Sequence, residues 1–95
     1  MIRSFADKET ERPFQRVSVK RFPLPVRRAA LRKLLVLDAA DSLGDLRVTP
    51  GNRLEKLRGD RAGQYGVRIN GQWRLCVRRG SGDGFDVEVA DYNET

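Results

Sequence analysis

The stretch from Gln64 to Arg79, QYGVRINGQWRLCVRR, limits the possible folds more than any other part of the chain. Tyr65, Val67 and Ile69 alternate with Gln64, Gly66, Arg68 and Asn70; after Asn70-Gly71, Trp73, Leu75 and Val77 alternate with Arg74, Cys76 and Arg78. Successive side chains on a strand point to opposite faces, so each run has an apolar and a polar face, and the pair reads as a hairpin. Turn length then decides the pairing. A plain two-residue loop at Asn70-Gly71 would set Val67 opposite Arg74 and mix the two faces. An odd loop, or a two-residue turn with one bulged residue, sets Ile69 opposite Trp73 and Val67 opposite Leu75. The same register sets Arg68 opposite Arg74, a like-charge pair that is unfavourable unless an anion lies nearby.

Ninety-five residues leave room for one modest core and no second one, so residues 1–95 read as a single domain. No apolar run approaches a membrane span and the start, MIRSFADKET, lacks the apolar middle of a signal peptide, so the expected compartment is the cytoplasm, with no membrane partner. With no histidine and one cysteine, Cys/His metal clusters and an internal disulfide are excluded; no cofactor is expected. Cys76 reads as a small strand residue, since no histidine is available to activate it as a nucleophile. The net charge of +6 is unevenly spread. Residues 1–52 hold 11 basic and 6 acidic residues, residues 53–79 hold 8 and 2, and residues 80–95 hold 5 acids and no base. A basic middle and an acidic end either pair with each other or divide phosphate binding from proton transfer.

Met1–Phe5 reads as a short edge strand or a docked terminus. Asp7–Arg16 reads as a short helix with Asp7 as N-cap, limited by Pro13. Val26 to about Ala40 is the clearest helix: Val26, Ala30, Leu34 and Leu37 form a stripe that Leu31 and Leu35 widen. Its outer cations, Arg27, Arg28, Arg32 and Lys33, are a solvated face or a contact for a nucleic acid backbone or an acidic partner. Arg53–Leu57 is strand-like, and Phe85, Val87 and Val89 alternate with Asp86, Glu88 and Ala90 in a last strand. By that parity Tyr92 falls on the side of Arg68 and Arg74. The expected fold class is α+β: N-terminal helices packed on one face of a small antiparallel sheet, with the other face open.

An open face carrying Arg58, Arg61, Arg68, Arg74 and Tyr92 suits RNA cleavage. That reaction needs a base for the 2′-hydroxyl, cations for the growing phosphorane charge and an acid for the leaving 5′-oxygen. Arginine fits the second role because its planar fork binds phosphate oxygens in pairs. Tyr92 can stack on a base or orient the hydroxyl, or lie idle over the sheet. Asp91, Glu55 and Lys56 are the nearby groups able to move protons. Arg68 is a phosphate ligand or half of an ion pair with Asp86 or Glu88. Arg74, in mid-sheet, is poorly placed for an idle charge. Trp73 belongs to the apolar face and reads as core.

Leu54-Glu55-Lys56-Leu57-Arg58-Gly59-Asp60-Arg61-Ala62-Gly63, Val67-Arg68-Ile69-Asn70-Gly71-Gln72-Trp73-Arg74-Leu75 and Val87-Glu88-Val89-Ala90-Asp91-Tyr92 resemble the HigB/GraT branch of the RelE/ParE toxins. Met1–Phe5 and Leu37–Ala40 are similar too, so the resemblance spans nearly the whole chain. It implies a microbial-RNase-like fold and a type II toxin, a metal-independent endoribonuclease that cuts mRNA in the A site of the 70S ribosome. The implied partner is a helix-turn-helix, HigA-like antitoxin, through which alone operator DNA would be reached. Carried over by position, Arg58 matches a basic active-site residue, Arg74 the phosphate-stabilising arginine, and Asp91-Tyr92 the terminal Asp-Tyr. Gln72 stands where a polar residue precedes the tryptophan; from the open-face reading, Glu55, Lys56, Arg61 and Arg68 join it as the expected RNA-binding residues.

Two departures bear on catalysis. Many family members continue Asp-Tyr-His where this chain has Asn93, and some carry histidine at Glu55. Without histidine the usual match of pKa to neutral pH is missing. Asn93 can hydrogen-bond but cannot transfer a proton, so the resemblance implies weakened catalysis, or proton transfer by Asp91, Glu55 or a perturbed lysine. The competing readings are a ParE-like toxin that poisons DNA gyrase without cutting, and an RNA- or protein-binding module whose arginines serve affinity alone.

Overall fold

The computed structural model describes residues 1–15, 20–41, 43–48, 50–80 and 82–92. Among them the chain forms helices α1 (Lys8–Phe14) and α2 (Leu24–Ala39), then strands β1 (Glu55–Lys56), β2 (Gln64–Arg68), β3 (Trp73–Gly80) and β4 (Asp83–Asp91). The strands lie in one antiparallel sheet in chain order. This is the α+β class anticipated from the pattern.

The hairpin has the odd-loop register. Val67 pairs with Leu75 and Arg68 with Arg74, and both Ile69 N and Asn70 N donate to Trp73 O, at 2.9 and 3.1 Å. Asn70 makes the turn by accepting at Oδ1 from Gln72 N at 2.8 Å and Trp73 N at 2.9 Å, an Asx turn. The apolar face of the sheet is thereby kept intact. Val67, Trp73, Leu75, Val77, Val87 and Val89 are buried against Phe22, Val26, Ala30, Leu34 and Leu37. Leu34 and Leu75 are wholly buried, each stabilising the fold by about 2–3 kcal/mol through its transfer from water.

Helix α1 is short and capped as expected: Asp7 Oδ1 accepts from Thr10 N at 2.7 Å, and Pro13 lies in its last turn. Of the two readings for Met1–Phe5, the docked terminus holds. Ile2 and Phe5 form isolated parallel bridges to Gly84 and Val87. Gly84 N donates to Met1 O, Asp86 N to Ser4 Oγ, Val87 N to Ser4 O, and Val89 N to the buried Thr10 Oγ1. The outer edge of β4 is thus closed to further strand pairing.

Four expectations change. Phe85 does not share the core face with Val87 and Val89. A bulge between Cys76 and Arg78, with Asp86 at φ +51°, pairs Phe85 with Arg78 and turns its ring onto the outer face, over Gly80. A Cβ at Gly80 would sit 2.7 Å from that ring, so the glycine makes room for it. Leu35 does not widen the α2 stripe but is exposed. The outer face is only partly open, because the chain from 54 to 63 crosses it and buries Leu57 with Cys76 and Ala90. Only Glu55 and Lys56 of the expected Arg53–Leu57 strand are paired.

Candidate active site

The open part of the outer face is a hollow of about 370 Å³ at the turn end of the sheet, lined by Arg53, Glu55, Arg68, Asn70, Gly71 and Tyr92. Strand parity brings Arg68 there from β2, and the residue after β4 brings Tyr92. Glu55 arrives because β1 approaches β2 at Gly66. A Cβ at Gly66 would meet Leu57 Cδ2 at 3.0 Å, Arg74 Cδ at 3.6 Å and Glu55 Cγ at 3.7 Å. Arg53 was not singled out from the sequence. It follows Asn52, whose buried amide donates to Leu46 O at 3.0 Å and accepts from Lys33 Nζ. Its own φ of +43° then turns the chain into the wall of the hollow. The signal available in advance was only its membership of the basic middle segment.

Arg74 lies beneath. Its side chain is 9% exposed, with Nη1 4.0 Å from Glu55 Oε1 and Cζ 4.8 Å from the centroid of the Tyr92 ring. Its Nε is buried and has no hydrogen-bond partner among the described residues. A buried guanidinium facing an aromatic ring and one distant carboxylate is under-neutralised, and an anion entering the hollow would complete it. Burial pushes the Tyr92 phenol above its ordinary pKa and Glu55 adds to the rise, while Arg74, Arg68 and Arg53 oppose it. The phenol therefore keeps its proton at neutral pH and is a hydrogen-bond donor there.

The other residues singled out from the sequence are elsewhere. Arg61 grips Glu88 through both guanidinium nitrogens at 3.1 Å and donates to Gln64 Oε1 at 3.2 Å, on the roofed part of the face. Arg68 therefore does not pair with Glu88, and Asp86 lies 3.6 Å from Arg78 instead. Lys56 lines a separate hollow with Leu57, Gly63, Gln64 and Tyr65. Arg58 is exposed at the start of the 3-10 turn Gly59–Arg61, outside the main hollow. Gln72 Nε2 donates to Asp91 Oδ2 at 2.9 Å, and Tyr92 N to Gln72 O at 2.8 Å, so this pair anchors the Tyr92 backbone beside the hollow. Asn93 lies outside the described residues. Burial and the neighbouring Arg32 lower the pKa of Lys33, but its ammonium is held by Asn52. Cys76 is buried under Arg61 and Arg74, and burial raises its thiol pKa, consistent with a packing role. Trp73 is core, with its ring edge-on to Phe22 at 5.3 Å.

Residues 3–92, nearly the entire sequence and every part of this site, match the family described as RelE-like toxin of type II toxin-antitoxin system HigB. The chain belongs to that family. Toxin HigB-1 of Vibrio cholerae is similar to it, with 41% identity over 79 residues, covering 82% of this chain and 83% of the relative. Endoribonuclease HigB of Proteus vulgaris is more distant, with 26% identity over 93 residues, covering 98% of this chain and the whole of the relative. As a HigB-family toxin of a type II system, the chain has a protein antitoxin as its partner. No helix among the described residues is long and apolar enough to cross a membrane.

Proposed function

We propose that this HigB-family toxin is an endoribonuclease that cuts mRNA in the ribosomal A site, and that a HigA-like helix-turn-helix protein restrains it. The observation that carries the reading is the hollow in which Arg53, Arg68 and Glu55 surround Tyr92, with the under-neutralised Arg74 beneath it. The relative named Endoribonuclease HigB aligns over the same residues.

The groups at the hollow suffice for transesterification within RNA. Glu55 takes the proton of a 2′-hydroxyl, whose oxygen attacks the adjacent phosphorus. Arg74, Arg68 and Arg53 meet the charge that grows on the non-bridging oxygens. Tyr92 gives its proton to the 5′-oxygen as the P–O bond breaks, and water later returns the proton from Glu55. The products are a 2′,3′-cyclic phosphate and a 5′-hydroxyl end. Glu55 is the base in this scheme because it lines the hollow, whereas Asp91 is held by Gln72 and Lys56 lines another hollow. Carboxylate and phenol replace histidine here, and the phenol holds its proton more tightly than an ordinary tyrosine, so turnover is slower than a histidine pair would give.

Translating ribosomes with end-labelled mRNA test the reading. The expected result is cleavage inside the reading frame, leaving cyclic phosphate ends, with no effect on gyrase supercoiling. Intact mRNA together with inhibited supercoiling would overturn it in favour of a gyrase poison.

A further inference from the structure

Helix α2 carries a second surface that the hollow does not use. Its stripe of Val26, Ala30, Leu34 and Leu37 is fully committed to the core, yet Leu24, Leu35 and Val36 are 47%, 43% and 48% exposed. Spacings of four, three and four residues bring Leu24, Arg28, Leu31 and Leu35 along one flank, with Arg32 and Val36 beside them. The outer face is therefore an aliphatic strip edged by two exposed arginines, on a helix of 16 residues, about 24 Å long. It points away from the sheet and hence from the hollow on the sheet's far face.

The electrostatics are one-sided. Four cations, Arg27, Arg28, Arg32 and Lys33, face a single acid on the helix, Asp38, and that carboxylate already accepts from Ile2 N at 2.8 Å. Among the described residues neither Arg28 nor Arg32 has an acidic partner. The first turn holds no acid, and no side chain caps it. Carboxylates brought to this end would gain from both the arginines and the helix dipole. A nucleic acid would satisfy the charges but would leave the interleaved leucines and valine in water, whereas a protein segment with acidic and aliphatic side chains satisfies both.

We infer that the outer face of α2 is the docking surface for an acidic, aliphatic-rich segment of the protein antitoxin. The inference rests on the antitoxin half of the proposed function and not on the cleavage chemistry. Calorimetry with the antitoxin of this toxin's own operon therefore reads it whether or not RNA is cut. Leu35→Asp with Val36→Asp is expected to weaken binding by about 100-fold or more. Arg28→Glu with Arg32→Glu is expected to weaken it at least tenfold and to flatten its salt dependence. Leu35→Ser with Val36→Ser, a milder exposed change, is expected to fall between wild type and the aspartate variant. Circular dichroism and melting curves identify which variants are folded, and activity on ribosomes should stay at the wild-type level. Unchanged antitoxin affinity in folded variants of both kinds would overturn the inference. So would a charge reversal that leaves antitoxin binding intact while releasing the toxin from ribosomes, which would mark the face as a nucleic acid surface.

Discussion

The outer face of the sheet treats arginine differently at its two ends. Away from the turn each arginine has its own carboxylate: Arg61 has Glu88, at 3.1 Å through both nitrogens, and Arg78 has Asp86 at 3.6 Å. At the turn Arg53, Arg68 and Glu55 line the hollow, and among the described residues the buried Arg74 beneath it has only Glu55, at 4.0 Å, as a carboxylate partner. Among the described residues the acidic C-terminal segment sends Glu88 and Asp86 to the first end, whereas at the second it brings Tyr92 to the hollow and Asp91 to Gln72. Charge composition is the same in kind at both ends, so the basic residues by themselves mark no site. The candidate site is where, among the described residues, close carboxylate pairing gives way to the 4.0 Å contact of Arg74 with Glu55.

If that contrast is functional, the two ends should respond to mutation on different measurements. The largest effect is expected from Arg74→Ala, which should lower mRNA cleavage by about 10²–10³-fold, the range for removing one transition-state donor. Arg74→Lys should recover little of it, because a lysine lacks the planar fork. Full cleavage by a folded Arg74→Ala protein would erase the contrast. Tyr92→Phe keeps the ring over Arg74 and removes only the hydroxyl, so a loss of about 10²-fold is expected if the phenol is the acid. Its pH profile is the sharper measurement. The raised phenol pKa means activity declines only as pH rises through a value above the ordinary one, and the phenylalanine variant should lack that alkaline limb. For stability the sign is the same: the folded state holds its phenol proton more tightly, so stability falls as pH climbs from the unfolded towards the folded pKa.

At the neutralised end the readout should be stability. Glu88→Gln leaves the half-buried Arg61 without its carboxylate and should cost about 1–2 kcal/mol in urea unfolding, with cleavage within about twofold of wild type. The smallest change is expected from Arg78→Gln, whose partner is as exposed as itself; less than about 0.5 kcal/mol should be lost. A cleavage defect in Glu88→Gln as large as that of Arg74→Ala would mean that the two ends work as one site.

Much of the site was legible in strand alternation. A face that must stay apolar forces the odd hairpin loop, and that loop places Arg68 across from Arg74 without any knowledge of the fold. Alternation also set Tyr92 on the correct side. It failed at Phe85, because parity carries no mark of an inserted residue, and the bulge at Asp86 inverts everything before it in β4. It could not show the roof formed by residues 54–63, which hides Arg61 and Cys76, because loops obey no period. Arg53 was missed for the same reason: it reaches the hollow through one left-handed residue, not through a pattern. Assigning Leu35 to the core overestimated how wide a contact one helix makes on a twisted sheet. Arg58, assigned to the open face from its basic loop and again through the family resemblance, lies outside the hollow in this structure.

Gly66 has a consequence for how freely this sequence can drift. The Cβ it lacks would fall among Leu57, Arg74 and Glu55, so the stems of the buried arginine and of the neighbouring carboxylate share a space that exists only while position 66 has no side chain. Alanine there would press first on the flexible end of Leu57, and anything larger would have to part Glu55 from Arg74. Substitution at a residue with no functional group of its own would then detune the chemistry in small steps, leaving a folded toxin of graded potency instead of an inactive one.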